Sequence, residues 1–146
     1  NIMLKNIPSV LPPELLKILM EMGHGDEIVI ADGNFPGASI AKNLIRCDGH
    51  GVPVILDAVM KLLPLDQYVE QPVALMQVVP GDNVVPTIWD EYETIINKYE
   101  PAGMKNGFDM VERFAFYERA KKAYAVVMTG ESAIYANIIL KKGVVK

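Results

Sequence analysis

Residues 25–37 read GDEIVIADGNFPG, and the fold turns on them. EIVIA, at 27–31, has the length and β-branching of a strand buried on both faces, as strands of parallel sheets are. DGNFPG, at 32–37, is turn chemistry, which puts Asp32 at that strand's C-terminal end. Ligands of open α/β sheets gather at such ends. Working outward, PPELLKILMEMG at 12–23 predicts a helix: the prolines suit a first turn, Leu15, Leu16, Ile18, Leu19 and Met22 form one apolar face, and Gly23 stops it. Downstream, 51–63 predicts a helix ended by Pro64, 72–79 a strand, 86–100 a helix, 113–123 a helix, 124–130 a strand and 136–143 a last strand. AGMKNGFD, 102–109, reads as loop, and 38–48 is ambiguous, with NLIRCD at 43–48 a candidate strand. Strands alternating with helices predict a three-layer α/β/α sandwich, Rossmann-like, with a largely parallel sheet.

The chain has 146 residues, enough for one domain with a genuine core, taken as 3–146. Asn1 and Ile2 precede Met3 and read as a cloning remnant. With 14 basic and 18 acidic residues the net charge is -4, and no basic run exceeds two residues. That pattern excludes the electrostatic footprint of a nucleic-acid or anionic-membrane binder. No apolar stretch is long enough to cross a membrane and no secretion signal is visible, so a soluble protein is expected. The single cysteine, Cys47, fits the reducing cytoplasm and is expected as a small core residue. A hydrophobic share of 51% is high for a small monomer, which points to apolar surface buried between subunits.

His24 lies between Gly23 and Gly25, after the first helix and before the central strand. The glycines keep bulk away from the imidazole, so a partner can approach it closely. Local pattern alone favours the plainer reading, a histidine at a helix C-terminus, where the macrodipole suits it. Asp32 could orient a ligand shared with that imidazole or be an Asx-turn residue. Arg113 and Tyr117, four apart on a helix, share a face, as do Phe114 and Glu118. Tyr135 and Asn137, two apart, share a side if extended, and a hydroxyl beside an amide suits sugar hydroxyls. His24 and His50 are the only histidines, no CxxC or HxxxH spacing accompanies them and a catalytic zinc usually takes three protein ligands, so no metal site is expected, and His50 reads as a loop residue. No phosphate-binding glycine loop and no serine-nucleophile elbow is present.

Together, ELLKILMEMGHGDEIVIAD, NFPG, RFAFYERA and YANIILKKGV resemble the fucose branch of the ribose pyranase and fucose mutarotase family, over nearly the whole chain from Met3. The resemblance implies a cofactor-independent, metal-free isomerase that interconverts the α and β anomers of a monosaccharide, L-fucose in this branch. It implies a ring-like homo-oligomer, a decamer being one form, with active sites near subunit contacts. His24 takes the place of the catalytic proton-transfer residue. Asp32, Arg113, Tyr135 and Asn137 take those of the sugar-binding residues, with Tyr117 and Glu118 as further candidates. Members often carry a histidine in the loop after the strand aspartate, where this chain has Asn34. Mutarotation needs only proton transfers, and histidine ordinarily exchanges protons near neutral pH. The alternatives are a pyranase acting on D-ribose and a non-catalytic sugar-binding accessory to uptake.

Overall fold

In a computed structural model describing residues 3–146, EIVIA forms strand β1 (Glu27–Ala31), third of six in one sheet. Asn1 and Ile2, expected as a cloning remnant, lie outside the described residues. The other strands are β2 (Leu44–Cys47), β3 (Val73–Met76), β4 (Asp109–Val111), β5 (Ala125–Thr129) and β6 (Ile138–Lys141), in the spatial order β2-β5-β1-β6-β3-β4. β1 and β2 both run parallel to β5, and β3 runs parallel to β4. β6 is antiparallel to both its neighbours, with Ile138 opposite Ile30 on one side and Leu75 on the other. The sheet is therefore mostly parallel, and its order is not that of a dinucleotide-binding fold.

Alternation along β1 builds the layers. Ile28 and Ile30, fully buried, pack on one face with helices α1 (Pro13–Glu21), α3 (Val52–Leu62) and α4 (Ile88–Tyr99). Val29 and Ala31 face the opposite layer, which holds α2 (Gly37–Ile40) and α5 (Arg113–Lys122). Each fully buried Ile or Val contributes about 1.5–3 kcal/mol over its exposed state, so β1 anchors both apolar layers at once.

Two expectations need correcting. The 102–109 loop opens inside a 3₁₀ turn (Pro101–Met104) and closes on the start of β4, a three-residue edge strand. So short a strand, with Met110 41% exposed, carries no alternation to read. Tyr135 and Asn137 are not on an extended segment: β6 starts at Ile138, and Tyr135 has φ +55°, in the left-handed region. Two residues of spacing therefore does not explain why they come together. Cys47 is buried as expected, and burial pushes its thiol up.

Candidate active site

Because β6 runs against the sheet, its first residues lie beside the C-terminal end of β1. Asn137 thus meets Asp32: the Asp32 N–H donates to Asn137 Oδ1 at 2.8 Å, and both residues are 5% exposed. With its oxygen so engaged, the Asn137 amide presents Nδ2 as a donor. Asp32 Oδ1 accepts from the Asn34 N–H at 3.0 Å. Burial pushes the Asp32 carboxyl up from its ordinary value, against the opposing pull of the Asn34, Ala136 and Phe35 N–H groups.

α5 supplies the facing wall. Its N-terminus is capped by Glu112, whose carboxylate accepts from the N–H groups of Phe114 and Ala115. The expected pairing on its face is made: Arg113 Nε donates to the Tyr117 hydroxyl at 3.4 Å. Phe35 packs edge-on against both Phe116 and Tyr117. Tyr135 closes the third side, donating its hydroxyl to Asp82 Oδ2 at 2.8 Å and accepting from the Val79 N–H at 3.2 Å. Trp89 Nε1 donates to the Tyr135 carbonyl and the Tyr92 hydroxyl to the Ala136 carbonyl, both at 2.7 Å. α4 thereby fixes the turn that carries Tyr135 and Asn137.

These groups line one open cleft of about 270 Å³, which holds Asp32, Arg113, Tyr117, Tyr135 and Asn137 of the expected site, with Asn34, Phe35, Met76, Val79, Asp82 and Ile134. Glu118 is not among its lining residues and pairs instead with Lys121 at 2.9 Å. His24 is also elsewhere. It precedes β1, whereas Asp32 follows it, so the strand alone separates them by about 13 Å at 3.3 Å per residue. At that far end His24 Nε2 lies 3.0 Å from Asp66 Oδ1, and its ring is 5.3 Å from that of Tyr68. Burial pushes the Asp66 carboxyl up, but the Tyr68 N–H and the His24 ring outweigh it and hold the group below its ordinary value. An ionised Asp66 only accepts, so His24 Nε2 carries the hydrogen and Nδ1 is left to take a proton. The side chain of His24 is 44% exposed. His50 lies in an exposed loop, as expected. Among the described residues no three His, Cys, Asp or Glu side chains converge as metal ligands would.

Residues 5–145 match the model of the RbsD / FucU transport protein family. The chain belongs to this family. Relatives of this RbsD / FucU chain include human fucose mutarotase, 54% identical over 147 residues that cover 97% of this chain and 94% of the human one. The L-fucose mutarotase of Actinobacillus pleuropneumoniae is 54% identical over 142 residues, covering 97% of each chain. Among solved structures, the fucose mutarotase of Streptococcus pneumoniae in complex with L-fucose superposes with a TM-score of 0.91 at 52% identity, over 98% of this chain and 100% of that one.

Sequence reasoning passed over two carboxylates of this RbsD / FucU chain, Asp82 in the cleft and Asp66 beside His24. Asp82 sits in PGDN, where only its turn chemistry was legible, and Asp66 in PLDQY carried no signal at all. Both act on a residue more than forty positions away. The N-terminus of α3, a natural phosphate site at this sheet end, is filled by the chain's own Glu131: Oε1 accepts from the Val52 N–H at 3.1 Å. No helix among the described residues is long and apolar enough to cross a membrane.

Proposed function

We propose that this protein is an isomerase that interconverts the α and β anomers of L-fucose by acid–base ring opening and closure, without a cofactor. One observation carries the reading: relatives that share about half its residues along almost their whole length are fucose mutarotases. The cleft supports it, since Asp32, Asn137, Arg113 and Tyr135 offer the mix of acceptors and donors that a ring of hydroxyls needs. In the reaction the anomeric hydroxyl loses its proton, C1=O1 forms as C1–O5 breaks, and the ring oxygen takes a proton. Rotation about C1–C2 and reversal of these steps give the other anomer. His24 is the proton-transfer residue, working through Nδ1 while Asp66 holds Nε2.

Since His24 and Asp32 lie at opposite ends of β1, a complete site takes Asp32, Arg113, Tyr117, Tyr135 and Asn137 from one subunit and His24 from a neighbour. The assembly is then a ring-like homo-oligomer such as a decamer, and its setting the cytoplasm, in keeping with the lone Cys47. Glu118, which pairs with Lys121 and does not line the cleft, stands outside this site. Saturation-transfer NMR on equilibrated L-fucose tests the function. The protein accelerates exchange between the anomers, and His24→Ala lowers that rate by about 10² to 10⁴. Absence of any acceleration by the unaltered protein overturns the reading, and a faster exchange on D-ribose redirects it to a pyranase.

A further inference from the structure

The cleft is chemically lopsided. Its floor is polar and closed, with Asp32 and Asn137 bonded to each other. Its mouth carries two apolar side chains that the chain leaves uncovered, Val79 at 36% and Ile134 at 50% exposure. Both are tied to Tyr135: Ile134 precedes it, and the Val79 N–H donates to its hydroxyl at 3.2 Å. Met76, buried at the end of β3, lines the same cleft. We infer that Val79 and Ile134 are specificity-determining residues that take the C5 methyl group of a 6-deoxyhexose, which rests on reading the cleft as the sugar site.

L-Fucopyranose carries hydroxyls on C1 to C4 and a ring oxygen, all of which need hydrogen-bond partners. Its methyl on C5 is the one substituent that needs none. Seated against Val79 and Ile134, that methyl leaves water together with apolar surface that is otherwise wet. A hydroxymethyl group in the same place gives up its water without gaining a partner, because neither side chain can donate or accept. C5 is bonded to the ring oxygen, so holding the methyl also fixes the atom that must receive a proton.

Three sugars test this directly. L-Galactose, L-fucose and D-arabinose share their pyranose configuration and differ at C5 in bearing CH2OH, CH3 and H. Anomer-exchange kcat/KM is measured by saturation transfer on all three for the unaltered protein, Ile134→Ser and Val79→Ser. The unaltered protein prefers L-fucose over each of the others by about tenfold. Each variant loses most of that preference, falling about four- to tenfold on L-fucose and much less on D-arabinose, which has nothing to place there. Light scattering on the same samples shows the assembly intact. Equal losses on all three sugars, dissociation of the assembly, or a fucose preference that survives both substitutions overturns the inference. Exchange by the unaltered protein without any C5 preference overturns it while leaving the mutarotase reading standing; no exchange on any sugar overturns that reading itself.

Discussion

At the scale of single residues, two aspartates titrate in opposite directions. Asp32 is buried and its carboxyl is pushed up, so keeping it ionised at neutral pH works against the folded state. Asp32→Asn keeps an acceptor for the Asn34 N–H and removes the charge. The variant melts above the unaltered protein at neutral pH, and the gap narrows as acid protonates Asp32 through its raised value. Sugar binding is lost in the same variant, and calorimetry with L-fucose reads that loss. Asp66 has the reverse sign. Its carboxyl is held below the ordinary value, so its contribution to stability is present above the unfolded-state value and fades as pH falls through the folded one. Asp66→Asn therefore melts lower at neutral pH, and its deficit shrinks in acid. Thermal melts of both variants across this range check the two signs together. None of this was legible in the sequence: an Asp before a glycine and an Asp after a leucine look alike until burial and partners are known.

At the scale of elements, α4 decides the site without lining it. Tyr92, fully buried, donates to the Ala136 carbonyl, and Trp89 donates to the carbonyl of Tyr135. Those two bonds hold a turn in which Tyr135 adopts φ +55°, a conformation that a bulky residue keeps only when its surroundings enforce it. Tyr92→Phe leaves a buried carbonyl unpaired and costs about 1–3 kcal/mol in chemical denaturation. The KM for L-fucose rises with it, since Asn137 and Tyr135 ride on that turn. Unaltered KM in a destabilised Tyr92→Phe protein would show that the turn holds itself. Elsewhere the sheet ends are closed by contact: a Cβ on Gly130 would sit 2.2 Å from the Asp48 carbonyl oxygen, so Gly130→Ala must part the loops after β2 and β5. The helix hosting Trp89 and Tyr92 was plain from its spacing. Its grip on residues more than forty positions along was not, because a side chain's hydrogen-bond partner across the fold leaves no periodic trace.

At the scale of the whole molecule, His24 lies at one end of the sheet and the cleft at the other. A site assembled from two subunits gives a complementation test. His24→Ala and Asp32→Asn proteins each retain only a small residual activity alone. Unfolded together in equal amounts and refolded, they regain activity, because about a quarter of randomly formed contacts pair an intact His24 with an intact Asp32. No recovery in assemblies proven to be mixed would refute a shared site. The high hydrophobic share of the chain agrees with contacts of this kind, and Met3, Met20 and Phe114 are among the large apolar side chains left exposed on a single chain.

The sequence by itself determined the layers, the central strand, the placing of Asp32 at its C-terminal end and the family, because hydrophobic period, turn residues and motifs are local properties of the chain. It also brought Arg113 and Tyr117 together, four residues apart on one helix. Only the tertiary structure decided that β6 runs backwards, which carries Asn137 to Asp32 across 105 positions. It alone separated His24 from that carboxylate and gave it Asp66. Strand direction and long-range side-chain pairing follow from how whole elements bury their faces against one another, and no short stretch of residues contains that information.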